Sequence, residues 1–289
     1  MNRLQAFVTA QPGGVVAGIL PVDAPYDTWD ANRCSPDAAN DVARQIATAI
    51  DAVQAANPTL QHIVLVGDDT ALPFFRVSDG TSTANESNYA EGFSGNNRLV
   101  GSLARGYIQT DDPYGTARGI SLSGRELFVP ELAIGRLVES KADIVKALDT
   151  FTQFNGQLDP ATTSSALVTG YDFLSDGATA VDDSLSNDGY VTNTLINETW
   201  TTADLTNAFV SADPDVASIN AHFDHNRALP ADQNAAGTQT DLFTTTDLPT
   251  DDRFANGLFL SMGCHGGLSV SDIELGVSAD SVDWSQAFS

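Results

Sequence analysis

Residues 257–267, GLFLSMGCHGG, run apolar for most of their length and then deliver a cysteine, a histidine and two glycines in succession. Residues 216–226, VASINAHFDHN, have the same form: a mostly apolar run ends on His222 and passes into a polar segment. Short apolar runs bounded by Gly and polar residues read as buried strands, and strands covered on both faces lose the polar alternation of a half-exposed sheet. Reactive groups on open α/β sheets gather beyond the carboxyl ends of the strands. The two stretches therefore predict neighbouring parallel strands with His222 and Cys264 at one sheet edge. The 227–253 segment between them is longer than a parallel crossover needs. It is polar and bears Pro, and is expected to wall the substrate cleft with a short helix or none.

The alternation continues outward. VVAGIL (15–20) and HIVLVG (62–67) read as buried strands, with a helix between them: Ser35 is its N-cap, Pro36 its first residue, and Val42, Ile46, Ile50 and Val53 share one face. The stretch from about Asp79 to Gly124 is rich in Gly, Asn, Ser and Asp and predicts long loops with short strands. ELAIGRL (131–137) is a strand, and Ser140 with Asp143 forms a capping box before a helix carrying Ile144, Leu148 and Phe151. SSALVTGYD (164–172) is another strand, and Thr201 with Asp204 caps a helix carrying Leu205 and Phe209. Such alternation predicts an α/β fold of mainly parallel sheets flanked by helices. Pro160 marks the joint between an N-terminal α/β subdomain, 1–158, and a catalytic subdomain, 159–289. SADSVDWSQAFS (278–289) reads as a helix beginning, so the C-terminal end is expected to be truncated.

A chain of 289 residues that is 42% apolar can fill the cores this requires. Its net charge of −25 comes from 31 Asp and 7 Glu against 11 Arg and 2 Lys. Such a surface repels nucleic acid and anionic membranes, so neither is expected as a partner. Few Lys and many Asp suit solubility in strong salt. Asp-rich loops could hold calcium as a structural ion, but no segment has the regular ligand alternation of a compact calcium loop, and no cofactor is expected. The start lacks the pattern of a signal peptide, and the apolar run 15–20 is too short to span a bilayer. Two cysteines, Cys34 and Cys264, make no disulfide framework.

A His within reach of a thiol takes its proton, makes it a nucleophile, and later protonates a leaving amine. Gly263 and Gly266 beside Cys264 let a substrate backbone approach and let main-chain N–H groups face a developing oxyanion. A lone free Cys is more often a small buried hydrophobe, and a lone loop His is more often structural. Paired at matching strand ends, the two favour catalysis. His225 is a second candidate for the base, while His265 reads as a supporting or solvent-facing His, His62 as structural and Cys34 as a helix-entry residue. Asp172, at the end of another strand, and Asp176 are candidates to bind a basic substrate side chain, although each reads at least as well as a loop-capping carboxylate. His222, His225, Cys264 and Asp224 also suit a zinc-dependent hydrolase.

HIVLVGDDTALPFFRVSD (62–79), ELAIGRLVES (131–140) and LFLSMGCHGG (258–267), in that order, resemble the gingipain family of cysteine peptidases over roughly Gln61 to Ser289. The resemblance implies a caspase-like three-layer sandwich in two subdomains. It also implies hydrolysis of polypeptides through a thioester, with Cys264 as nucleophile and His222 as general base and acid, cleavage after basic residues, and an extracellular or cell-surface setting. One departure is visible: the family usually has Gly immediately after the catalytic His, and here Phe223 follows His222. The readings set against catalysis are a non-catalytic caspase-like domain of a larger secreted or surface protein and the zinc hydrolase.

Overall fold

The computed structural model describes residues 2–10, 23–90, 93, 97–116, 118–122, 125–157, 164–271 and 282–288. The strand expected at 15–20 and the joint expected at Pro160 lie outside the described residues. The chain divides into two compact units, one of Met1–Pro12, Val145–Ser269 and Ser278–Ser289, the other of Gly13–Ile144 and Val270–Val277.

Helix α1 (Asn2–Ala10) belongs to the first unit. The second unit holds α2 (Asp23–Ala31) and α3 (Pro36–Ala56). Ser35 caps α3 by accepting from the Ala38 N–H, and Val42, Ile46 and Ile50 are buried on one face, as their spacing dictates. That face packs with Trp29, Leu65, Phe75 and Tyr114 into one core. Strand β1 (His62–Val66) does end at Gly67, which holds the left-handed φ of 136°. It is less covered than its composition predicts, since Val64 is exposed. Strand β2 (Phe75–Ser78) follows. The Gly- and Asn-rich stretch expected to be loop with short strands also holds helices, α4 (Glu86–Tyr89) and α5 (Arg98–Leu103), capped by Asn85 and Asn97. Here the polar residues cap helices rather than interrupt them. Then come β3 (Tyr107–Thr110), the hairpin β4 (Gly119–Leu122) and β5 (Arg125–Phe128), and β6 (Ala133–Leu137), which pairs in parallel with β1.

Helix α6 (Lys141–Phe154) begins in the second unit and continues into the first from Val145, and its start carries the expected capping box: the Ser140 N–H donates to Asp143 and the Asp143 N–H to Ser140 Oγ. The sheet of the first unit contains β7 (Ser165–Gly170), β8 (Val191–Ile196), β9 (Val216–Ser218) and β13 (Leu258–Leu260), ordered β13-β9-β7-β8, every pairing parallel. Parallel neighbours need long crossovers. Helix α7 (Ser175–Asn187) joins β7 to β8, and α8 (Thr202–Leu205) with a π-helical turn at Thr206–Ser211 joins β8 to β9. Between β9 and β13 lie β10 (His222–Phe223), β11 (Arg227–Leu229), the short helix α9 (Ala231–Ala236) and β12 (Phe243–Thr244); the three strands form a small antiparallel sheet. Helix α10 (Trp284–Ala287) follows Asp283, which forms a capping box with Gln286. Leu167, Trp200, Leu205, Phe209, Ala217, Phe243 and Trp284 share the core of this unit. The class expected from the alternation, α/β with mainly parallel sheets flanked by helices, is the class found.

Candidate active site

Strands β9 and β13 are in register, Val216 with Leu258 and Ser218 with Leu260, and the Ile219 N–H extends the ladder to the Leu260 carbonyl at 2.9 Å. His222 and Cys264 each stand four residues beyond the last of these pairs. Equal overhang on parallel neighbours starts both loops from one edge.

From β9 the chain passes through buried Asn220 and Ala221 to His222. The His222 N–H donates to the phenol of Tyr171 at 2.9 Å, and that phenol donates to the Leu229 carbonyl at 2.8 Å. Burial pushes the Tyr171 pKa up to about 12, against the opposing pull of the His222 hydrogen bond, so the phenol keeps its proton and bridges the two groups. The His222 ring packs near two aromatic rings, with centroids 5.7 Å from Tyr171 and 5.6 Å from Phe173. Beyond His222, Asp224 closes the β10–β11 hairpin by accepting from the Asn226 and Arg227 N–H groups and pairing with the Arg227 guanidinium.

On the other loop Cys264 is exposed, and His265 holds a left-handed φ of 57°. Asn220 Oδ1 accepts from the Met262 N–H at 3.1 Å, and the Gly263 N–H donates to Ser261 Oγ at 3.0 Å. The two loops meet through Phe223. A methyl group on Gly263 would lie 2.4 Å from Phe223 Cδ2, and one on Gly266 would lie 3.5 Å from Phe223 Cδ1. Glycine at 263 thus admits the aromatic ring that stands where a glycine follows His in the family pattern. Met262 in turn leans on Gly177 of α7, where a methyl would sit 2.9 Å from its Cε.

His225, half-buried, follows Asp224 in the same hairpin, and its carbonyl accepts from the Trp284 N–H at 3.0 Å. Burial pushes its pKa down, with the Asp224 carboxylate opposing and Arg227 and His265 adding to the fall. Asp172 and Asp176 are exposed beyond β7. Asp172 opens a 3₁₀ turn with φ of 52° and donates its N–H to Glu198, and Asp176 sits in the first turn of α7. Their neighbours Phe173 and Gly177 touch His222 and Met262, which brings both aspartates to the edge that carries His222 and Cys264.

A cleft of about 970 Å³ opens beside the cysteine loop, with Phe223, Phe254, Phe259, Trp284 and Gly266 in its walls and Phe243–Asp252 supplying much of the remainder. His222 and Cys264 are not among its lining residues. Among the described residues no three His, Cys, Asp or Glu side chains group as a metal site, and no helix is long and apolar enough to cross a membrane. Cys34, in the second unit, points its thiol at the Asn97 carbonyl and packs against Gly101. Reading the sequence alone missed Tyr171, Phe173, Asn220 and Glu198. The first two lie in the GYDF segment that nominated Asp172, and Asn220 is a lone amide inside an apolar run.

The chain matches no family model and no curated protein. Among solved structures it is similar to the complex of pro- and mature domains of RgpB from Porphyromonas gingivalis, with a TM-score of 0.55 and 16% identity over 99% of this chain and 56% of that one. It is also similar to the Arg-specific cysteine proteinase gingipain R, with a TM-score of 0.50 and 15% identity over 92% of this chain and 55% of that one. The chain spans about half the length of the chains it matches. At that identity the likeness establishes the fold, which is gingipain-like.

Proposed function

We propose that the chain carries a cysteine endopeptidase site with Cys264 as nucleophile and His222 as general base and acid. The observation that carries the reading is the equal overhang of His222 and Cys264 from paired parallel strands, in a fold shared with two cysteine proteinase structures. His222 takes the thiol proton, and the thiolate adds to the scissile carbonyl carbon. The tetrahedral oxyanion collapses to a thioester as His222 gives its proton to the leaving amine; water, deprotonated by His222, then releases the acid. Main-chain N–H groups of the 263–267 turn are the candidate oxyanion donors, Gly266 ahead of Gly263, whose N–H is engaged by Ser261. The equal overhang with Cys264 favours His222 over His225, which stands three residues farther along the hairpin. Asp172 and Asp176 are the candidate seats for a basic substrate side chain, with Glu198 adding a third carboxylate beside them.

The test is peptide turnover. Cys264→Ala abolishes cleavage, His222→Ala lowers kcat roughly 10²- to 10⁴-fold, and His225→Ala leaves it near the starting value. A peptidyl electrophile labels Cys264 in preference to Cys34. Cleavage that survives alkylation and stops with a chelator supports the zinc hydrolase instead. No turnover of a broad peptide library by the full-length protein supports the non-catalytic domain, the reading that the ring of Phe223 between the loops favours.

A further inference from the structure

Asn220, two residues past the end of β9, is 0% exposed although polar, and buried polar groups need partners. Its Nδ2 donates to the Thr169 carbonyl at 2.9 Å, to Ser218 Oγ at 3.0 Å and to the Ser218 carbonyl at 3.3 Å. Its Oδ1 accepts from the Met262 N–H at 3.1 Å and from Ser218 Oγ at 3.4 Å. Its backbone is held as well: the N–H donates to Thr169 Oγ1 at 3.0 Å, and the carbonyl accepts from the same hydroxyl at 3.4 Å.

One residue therefore joins the carboxyl ends of β7, β9 and β13, where the ladder stops and the chains diverge. Asn220 lies two residues before His222, and its partner Met262 lies two residues before Cys264. An apolar side chain of the same size would fill the space but leave the Met262 N–H and the Thr169 carbonyl unpaired, each costing about 1–3 kcal/mol. We infer that Asn220, braced by Thr169, is a positioning residue that sets the approach of His222 to Cys264, an inference that rests on the cysteine peptidase reading. It touches no reacting atom. It fixes the starting points of the two loops that carry the reacting groups, and proton transfer is sensitive to displacements of about an ångström.

The experiment uses the whole chain with Cys34→Ser, so that Cys264 is the only thiol. Asn220→Ala, Thr169→Val and Thr169→Ser are compared for kcat and KM on a cleaved peptide, for the pH dependence of iodoacetamide alkylation of Cys264, and for near-UV circular dichroism. The expected result is a kcat lowered about 10- to 100-fold with KM unchanged in Asn220→Ala and Thr169→Val. Their alkylation profiles move toward that of His222→Ala, and Thr169→Ser stays within about threefold of the parent, because it keeps the hydroxyl. A folded Asn220→Ala or Thr169→Val with parental kcat and alkylation profile overturns the inference. If Asn220→Ala does not fold, the Thr169 pair decides; if neither Asn220→Ala nor Thr169→Val folds, these residues serve folding and the inference is overturned. Absence of cleavage by the parent sinks the peptidase reading alone, since alkylation still reports the approach of His222. A parental profile indifferent to His222→Ala overturns both.

Discussion

In the second unit, Arg76 is buried and shares its guanidinium among both Asp69 oxygens, Ser102 and the Phe74 carbonyl, with the Trp29 ring 5.6 Å away. In the first, the buried polar residues at the sheet's carboxyl edge, Thr169, Ser218 and Asn220, are neutral. A buried ion pair is rigid and intolerant, because removing either partner strands a charge in a poor solvent. A neutral network can hold a loop in place without imposing a field on the groups beside it. The contrast separates a region whose polar groups are consumed by structure from one whose polar groups support exposed chemistry.

The contrast breaks if variants on the two sides behave alike. Arg76→Ala, which leaves Asp69 buried and unpaired, should cost about 3–5 kcal/mol in urea unfolding. Cys264→Ser, at an exposed site, should stay within about 0.5 kcal/mol while peptide cleavage disappears. A comparable loss of stability in Cys264→Ser would erase the distinction. Next in size, Gly263→Ala forces a methyl into Phe223 and should cost about 1–3 kcal/mol together with most activity. Adding Phe223→Ala should restore stability, and a double-mutant cycle with no coupling would show that the loops do not meet there.

A sharper comparison lies within the same sheet. At its amino edge Asp215 accepts from the Ser165 N–H at 2.7 Å and its hydroxyl at 3.0 Å, bracing β7 and β9 there as Asn220 does at the other end. Asp215→Ala should cost about 1–2 kcal/mol and leave kcat unchanged; a fall in kcat matching that of Asn220→Ala would mean that any brace in the sheet matters equally. The smallest effect expected is from His225. Its pKa is lowered by folding, so the folded state binds its proton less well than the unfolded one, and stability is present above the ordinary His value of about 6.5 and lost as pH falls below it. Melting temperatures at pH 7.5 and 5.5 should differ less in His225→Gln than in the parent.

The sheet edge was legible in the sequence because it is written locally: an apolar run, then a reactive residue, then glycines. Helix starts were legible for the same reason, since a cap and its N3 partner are three residues apart, as at Ser140 and Thr201. Strand β8, VTNTLI, was missed because its polar residues interrupt the apolar run, and α7, SDGATAVDDSLSN, because it is polar over most of its length. Asn220 and Tyr171 were missed because their partners, Met262, Thr169 and Leu229, are distant in sequence or are backbone groups that carry no residue signature. Phe223 was visible as a departure from the family pattern, but its seat on Gly263 is a tertiary fact.

The indole of Trp284 donates to the Asp224 carbonyl at 2.9 Å, and its ring lies 5.3 Å from Phe223, which rests on the cysteine turn. The chain has three tryptophans, and with Trp29 and Trp200 changed to Phe this indole becomes the single long-wavelength emitter. Its emission would then read the state of both reactive loops without a label or a substrate. Acylation or alkylation of Cys264 becomes a change in fluorescence that a stopped-flow instrument can time.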